Sequence, residues 1–235
     1  MNRLLQYAAG IIFSFCLMIV LLFTSVEAAV YWMPGYFEKE YAKYNVTKSV
    51  SMTMEDLLDV TGEMMSYLRG KRDNLHVETT MGGVQREFFN AREIAHMEDV
   101  RGLFLGALSI RRGCLMVMAL CLILLLLLKT SFQKTFPKAV CAGTGIFFFL
   151  TAVIASIIST DFTRYFILFH HIFFKNDLWM LDPSTDMLIN IVPEGFFRDT
   201  VFLIGFIYLF SILLVFAACF FLIRKGNKKH LSTLG

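Results

Sequence analysis

Cysteine is missing from the two polar stretches of this chain. All five, Cys16, Cys114, Cys121, Cys141 and Cys219, lie in or beside apolar runs. Residues 27–110 and 160–199 hold none, which excludes a disulfide framework there and any thiol nucleophile of that region. The cysteines themselves read as small core- or lipid-facing hydrophobes. Charge is also scarce, at 17% of residues. Familiar catalytic signatures are missing too: there is no HExxH, no GxSxG elbow, no P-loop and no GxGxxG. Neither repeats nor low-complexity tracts occur.

What the chain has is hydrophobic mass: 57% of its 235 residues are hydrophobic, with 25 Phe. A soluble domain of this length cannot bury so much apolar surface. Four runs approach or reach the length needed to cross a bilayer as helices, about 8–26, 111–129, 139–159 and 200–223. The second has a short apolar core, and Arg111, Arg112 and Lys129 can snorkel at its ends. The expected fold is a membrane protein, mainly α, of one domain over 1–235: four transmembrane helices with a small extracytoplasmic α+β cap. The basic start and small-residue exit of "MNRLLQ…SVEAAV" are compatible with a cleavable signal peptide. The apolar run is long for one, so an uncleaved anchor is expected.

Acidic residues are absent from three short segments that carry Arg3, then Lys129, Lys134 and Lys138, then Arg224, Lys225, Lys228 and Lys229. All 19 Asp and Glu fall in 27–110 and 160–199. Short basic loops stay cytoplasmic. Four spans put the three basic segments on one side, with both termini cytoplasmic and 27–110 and 160–199 extracytoplasmic. Trp32 and Trp179 then fall near the outer interface, where indole prefers to sit.

Within 27–110, "YFEKEYAKY" predicts a short helix. "SMTMEDLLDVTGEMMSYLRG" predicts a longer one, capped by Thr53 or Ser51 and closed by Gly70. Its apolar face is Met54, Leu57, Leu58, Met64, Met65 and Leu68. "LHVETTMGGVQREFF" predicts a β-hairpin turning at Gly82-Gly83. In "FNAREIAHMEDVRGLF", Asn90 and Glu93 have capping-box spacing, so a helix starts there, with Arg92, His96 and Asp99 or Val100 sharing a face. Gly102, Gly106 and Gly113 would let the chain bend into the second span. Phe162–Phe174 reads as an aromatic helix and Asp182-Pro183 as a turn.

Histidine is where chemistry enters. "LFHHIFFKNDLWMLDP", residues 168–183, sets His170 and His171 among apolar side chains, followed by Asn176, Asp177, Trp179 and Asp182. A single histidine is more often structural than catalytic. Ionisable groups at membrane depth are costly, however, and perturbed groups cluster at sites. Two segments deliver His96 and His170 to one interface, so a shared site is the stronger reading. Successive helical residues point about 100° apart, so only one of His170 and His171 can face it. His76 and His230 read as solvated bystanders. A metal site built from the two histidines and Asp177, Asp182, Asp186 or Glu194 stays open at this point. Asn45-Val46-Thr47 matches a glycosylation sequon, a weak signal.

"FNAREIAHMEDVRGLF" and "LFHHIFFKNDLWMLDPSTDMLINIVPEGFF" resemble the two signature stretches of the bacterial lipoprotein intramolecular transacylase family. That family consists of four-span membrane proteins with an extracytoplasmic cap. Its members move the sn-2 acyl chain of a diacylglyceryl-modified lipoprotein to the α-amino group of the same N-terminal cysteine, leaving a lyso-form lipoprotein. The resemblance implies that the family's two essential histidines correspond to His96 and, by the pattern Phe-His-x-Ile-Phe-Phe, to His170, with His171 at the variable position. It implies diacylglyceryl-modified lipoproteins and membrane lipid as partners, no nucleic acid, no cofactor and no metal. Arg92, Glu93, Asp99, Asn176, Asp177, Trp179 and Asp182 are the candidate substrate-binding residues.

Because the nucleophile is the substrate's own amine, no Ser or Cys of the protein is needed. The sequence favours His96 as general base, oriented by Glu93 or Asp99. His170, in a drier setting, would be the neutral N–H donor. Two other readings stand beside the acyltransferase: another membrane-embedded lipid hydrolase, metal-dependent or not, and a non-catalytic sensor or assembly factor.

Overall fold

The computed structural model describes residues 2–231, with side chains over 3–227, so His230 lies outside the described side chains. The chain divides into two compact units. The first comprises residues 1–28, 109–159 and 204–235, and the second 29–108 and 160–203.

Four helices dominate the first unit: α1 (Asn2–Glu27), the later part of α5 (Ala91–Leu127), α6 (Thr135–Ile158) and most of α9 (Glu194–Leu231). Each is long and apolar enough to cross a membrane. Large apolar side chains such as Leu120, Leu127, Phe149, Phe206 and Phe220 are exposed on them, which only lipid makes tolerable. α1 and α6 pack through small residues. A Cβ on Gly10 would lie 2.6 Å from that of Ala139, and one on Gly143 would lie 2.7 Å from Ser14 Oγ. Ser14 Oγ donates to the Val140 carbonyl at 3.2 Å and lies 3.1 Å from Thr144 Oγ1. Close backbone approach with a buried hydroxyl pair is how membrane helices associate when hydrophobicity cannot drive them together. Glu27, buried at the end of α1, is paired with Arg111.

The second unit begins with a π-helical turn over 28–32. It then builds α2 (Tyr36–Lys43), α3 (Val46–Ser49), α4 (Met54–Leu68), strands β1 (Glu78–Met81) and β2 (Val84–Glu87), the first part of α5, α7 (Phe162–Phe173), α8 (Leu188–Ile191) and the start of α9. α4 is capped as its sequence predicts: the Thr53 hydroxyl accepts from the Asp56 N–H at 3.1 Å, and Gly70 takes the left-handed conformation, φ 71°. β1 and β2 are antiparallel, with Met81 opposite Val84 across the Gly82-Gly83 turn. The core is aromatic and aliphatic, centred on Tyr41, Leu57, Leu75, Phe89 and Ile191. Its buried hydroxyls are paired, Tyr41 with Thr61 at 2.7 Å and Tyr36 with Thr200 at 2.6 Å.

α5 is one helix of 37 residues that runs unbroken through Gly102, Gly106 and Gly113. Each glycine costs a helix only about 1 kcal/mol relative to Ala, which the continuous hydrogen bonding absorbs.

Candidate active site

His96 and His170 meet inside the second unit. His96 comes from the first turns of α5 and His170 from the last turn of α7. Their ring centroids are 6.3 Å apart. Both are buried, 6% and 8% exposed. Phe174 lies edge-on to His96 at 5.2 Å and beside His170 at 5.5 Å. Phe166, one turn before His170, is 4.3 Å from it, Phe169 is 5.5 Å away, and Trp179 lies over it at 4.8 Å. His171, on the neighbouring face, is exposed and touches the Trp179 ring edge-on at 5.1 Å.

His170 has a defined tautomer. Its Nδ1 is 2.7 Å from the Phe166 carbonyl oxygen, which can only accept, so the neutral ring carries its proton on Nδ1 and leaves the Nε2 lone pair free. Burial pushes its pKa below the usual imidazole range, against the Phe166 carbonyl, which favours the charged form, and with a smaller push from His171. His96 is lowered further, to about 4, by burial first and by His170 second, with Asp99 opposing. Both rings are therefore neutral near pH 7. His96 Nδ1 is sealed from solvent and meets no partner.

The expectation that Glu93 or Asp99 orients His96 is not met. Glu93 is fully buried and its two oxygens are occupied, one by the Asn90 N–H at 2.7 Å and the other by the Leu188 N–H. This is the predicted capping box, extended across 95 residues to hold α8. Asp99 accepts from Asn176 Nδ2 at 2.8 Å. Neither carboxylate bonds the His96 ring, and the upward pull of Asp99 is outweighed by burial, so the raised basicity foreseen for His96 does not result.

The remaining candidates form the frame. Arg92 donates to the carbonyls of Asp177 and Met180, the latter at 3.2 Å. Asn176 and Arg92 thus tie both sides of Trp179 to α5. The Asp177 side chain is exposed. Asp182 accepts from the Ser184 N–H at 2.8 Å and hydroxyl at 2.7 Å, which hold its carboxyl below the usual range and shape the predicted turn. Local reading missed the Phe166 carbonyl, although an i−4 carbonyl is always near a helical side chain. Asp186, named from sequence only as a possible metal ligand, is buried and accepts from Asn90 Nδ2 and the Asp182 N–H, both at 2.7 Å. Among the described residues, no three His, Cys, Asp or Glu side chains gather where one metal ion could be held.

Long apolar helices, a small sheet and two neutral imidazoles in an aromatic cage define a membrane-integral, mainly α protein with a buried histidine site. The chain belongs to the family of the lipoprotein intramolecular transacylase Lit, whose model matches residues 11–197. The chain is similar to solved structures of the membrane integral lipoprotein intramolecular transacylase Lit from Bacillus cereus. One is 20% identical and covers 95% of this chain and 98% of its own, with a TM-score of 0.79. Another carries a histidine-to-arginine mutation, at 20% identity, 95% and 94% coverage and a TM-score of 0.76. A third carries a histidine-to-alanine mutation, at 20% identity, 95% and 96% coverage and a TM-score of 0.75. At that identity the likeness is one of fold. No curated protein matches the chain.

Proposed function

We propose that this protein moves the sn-2 acyl chain of a diacylglyceryl-modified lipoprotein onto the α-amino group of that lipoprotein's own N-terminal cysteine, releasing a lyso-form lipoprotein. The observation that carries the reading is the caged histidine pair, one ring of which is locked with its Nε2 lone pair free. The attacking amine and the ester belong to one molecule, so holding them together can contribute several kcal/mol, on the order of the effective-molarity effect. Their encounter needs a base that is already unprotonated near neutral pH, and His170 Nε2 has that character. We assign it the proton of the attacking nitrogen, which it returns to the departing glycerol oxygen. His96, neutral and close by, is assigned an N–H donor role toward the substrate headgroup. The Phe166, Phe169 and Phe174 rings exclude water, which favours transfer over hydrolysis.

The charge pattern supports an outer-face site with both termini cytoplasmic. The test is mass spectrometry of a reporter lipoprotein from cells with and without the protein. The expected result is a lyso-form, N-acylated product only in its presence. An unchanged reporter in both would remove the reading.

A further inference from the structure

Trp179 is one of two tryptophans in the chain. Its indole lies over His170, planes 31° apart, and meets His171 edge-on at 85°. Its Nε1–H is sealed from solvent and meets no acceptor. An indole N–H can only donate, and buried donors are rarely left bare. Among the described residues, five buried side-chain polar atoms lack a partner. Two of them, Trp179 Nε1 and His96 Nδ1, belong to rings that border the same imidazole, His170.

Trp179 is also held in place. Arg92 grips the carbonyls of Asp177 and Met180 on either side of it. Asn176 accepts from the Leu178 N–H at 3.1 Å while donating to Asp99 at 2.8 Å. A fixed donor, dry and unspent, is what stabilises charge that appears only in a transition state. Packing alone does not account for it, because Phe would fill an aromatic cage without burying a bare N–H.

We propose that the Trp179 indole N–H is a catalytic hydrogen-bond donor that receives the carbonyl oxygen of the migrating acyl group as it becomes an oxyanion. This rests on the transacylase reading. The substrate nitrogen attacks the acyl carbonyl carbon, and the carbonyl π pair moves onto oxygen, against Trp179. The nitrogen's proton passes to His170 Nε2. On collapse the carbon–oxygen bond to glycerol breaks, and the leaving oxygen takes the proton from His170. One ester bond is lost and one amide bond gained, with no co-reactant.

The test uses the full-length purified protein and a synthetic diacylglyceryl lipopeptide. Trp179→Phe removes the N–H and trims the ring. Replacing Trp179 with benzothienylalanine removes the N–H while keeping the bicyclic shape. Both should lower the maximal conversion rate by about 10²–10³-fold, the usual loss for one oxyanion donor, with the half-saturating lipopeptide concentration unchanged. A purely packing role predicts that the benzothienyl protein works at the wild-type rate, and that result would overturn the proposal. If Trp179→Phe does not fold, the benzothienyl protein carries the test. A second readout is independent of rate. In Trp32→Phe protein labelled with ¹⁵N-indole, the remaining indole N–H resonance should move downfield when a non-reactive lipopeptide with a tetrahedral, anionic sn-2 phosphonate, a mimic of the oxyanion, binds. A resonance unmoved by saturating lipopeptide overturns the proposal as well. Lack of conversion by the unsubstituted protein removes the transacylase reading and the donor with it. Conversion by both the unsubstituted and the benzothienyl protein at one rate removes only the donor.

Discussion

Two imidazoles separated by 6.3 Å inside an aromatic cage resist carrying charge, and that resistance can be measured at single residues. His170 accepts a proton only while neutral. Burial sets its pKa below the usual value of 6.5, so the free protein should keep His170 neutral down through pH 6.5. Initial rates carry a separate acid limb at about pH 8 from the substrate α-ammonium, so the base is read from the ¹⁵N imidazole shifts of His170 in the free protein. A ring that gains its second proton above pH 6.5 would contradict the base assignment. His170→Ala should abolish lyso-form product at matched protein level, whereas His171→Ala, altering an exposed ring that touches only the edge of Trp179, should stay near wild type. The reverse pattern would place the base at His171. His96 contributes to stability with a definite sign. Its folded pKa is about 4 against an ordinary 6.5, so below 6.5 the unfolded chain binds the proton more readily. Stability is therefore full above 6.5 and is lost as pH falls toward 4, by on the order of 3 kcal/mol. His96→Gln should flatten that slope in denaturation curves taken across the range.

At the scale of elements, local spacing carried most of the reading. Asn90 and Glu93 at capping-box distance start α5, Thr53 starts α4, and Gly82-Gly83 turns the hairpin, because each is decided within four residues. What stayed hidden depends on partners far along the chain. Glu93 has a second duty toward the Leu188 N–H, and Asp99 toward Asn176, and no spacing rule reveals either. The expectation of a base at His96 rests on orienting contacts from Glu93 or Asp99 that these distant partners take up. The α1–α6 contact was equally illegible, since Gly10, Ser14 and Gly143 look like any small residues in an apolar run until a second helix is laid on them. Two variants test these elements. Glu93→Ala leaves the buried Leu188 N–H and the half-buried Asn90 N–H bare and should cost about 2–6 kcal/mol, from roughly 1–3 kcal/mol for each unsatisfied group. Hydrogen exchange should show the loss first around residues 182–191, and Glu93→Gln, which keeps one acceptor oxygen, should lose less. Gly143→Val would drive a side chain into Ser14, so α1 and α6 should separate. Unaltered thermal stability in detergent would mean that the contact is not needed.

For the whole molecule, orientation decides whether the chemistry can reach its substrate. Every acidic residue lies in 27–110 or 160–199, and the three acid-free segments carry only basic charge. The histidine pair sits in the unit formed by 29–108 and 160–203, so a flipped topology would put it on the cytoplasmic side. Diacylglyceryl-modified cysteines are expected on the outer leaflet, which requires the acid-bearing side to face out. In a background with the five native cysteines replaced, single cysteines at Asn74 and Ser131, both exposed, report the two sides. A membrane-impermeant maleimide applied to intact cells should label position 74 and spare position 131, with both labelled once the membrane is opened. Labelling of 131 and protection of 74 would invert the molecule. The caged histidines would then face the cytoplasm, out of reach of the proposed substrate, so this one measurement bears on both topology and function.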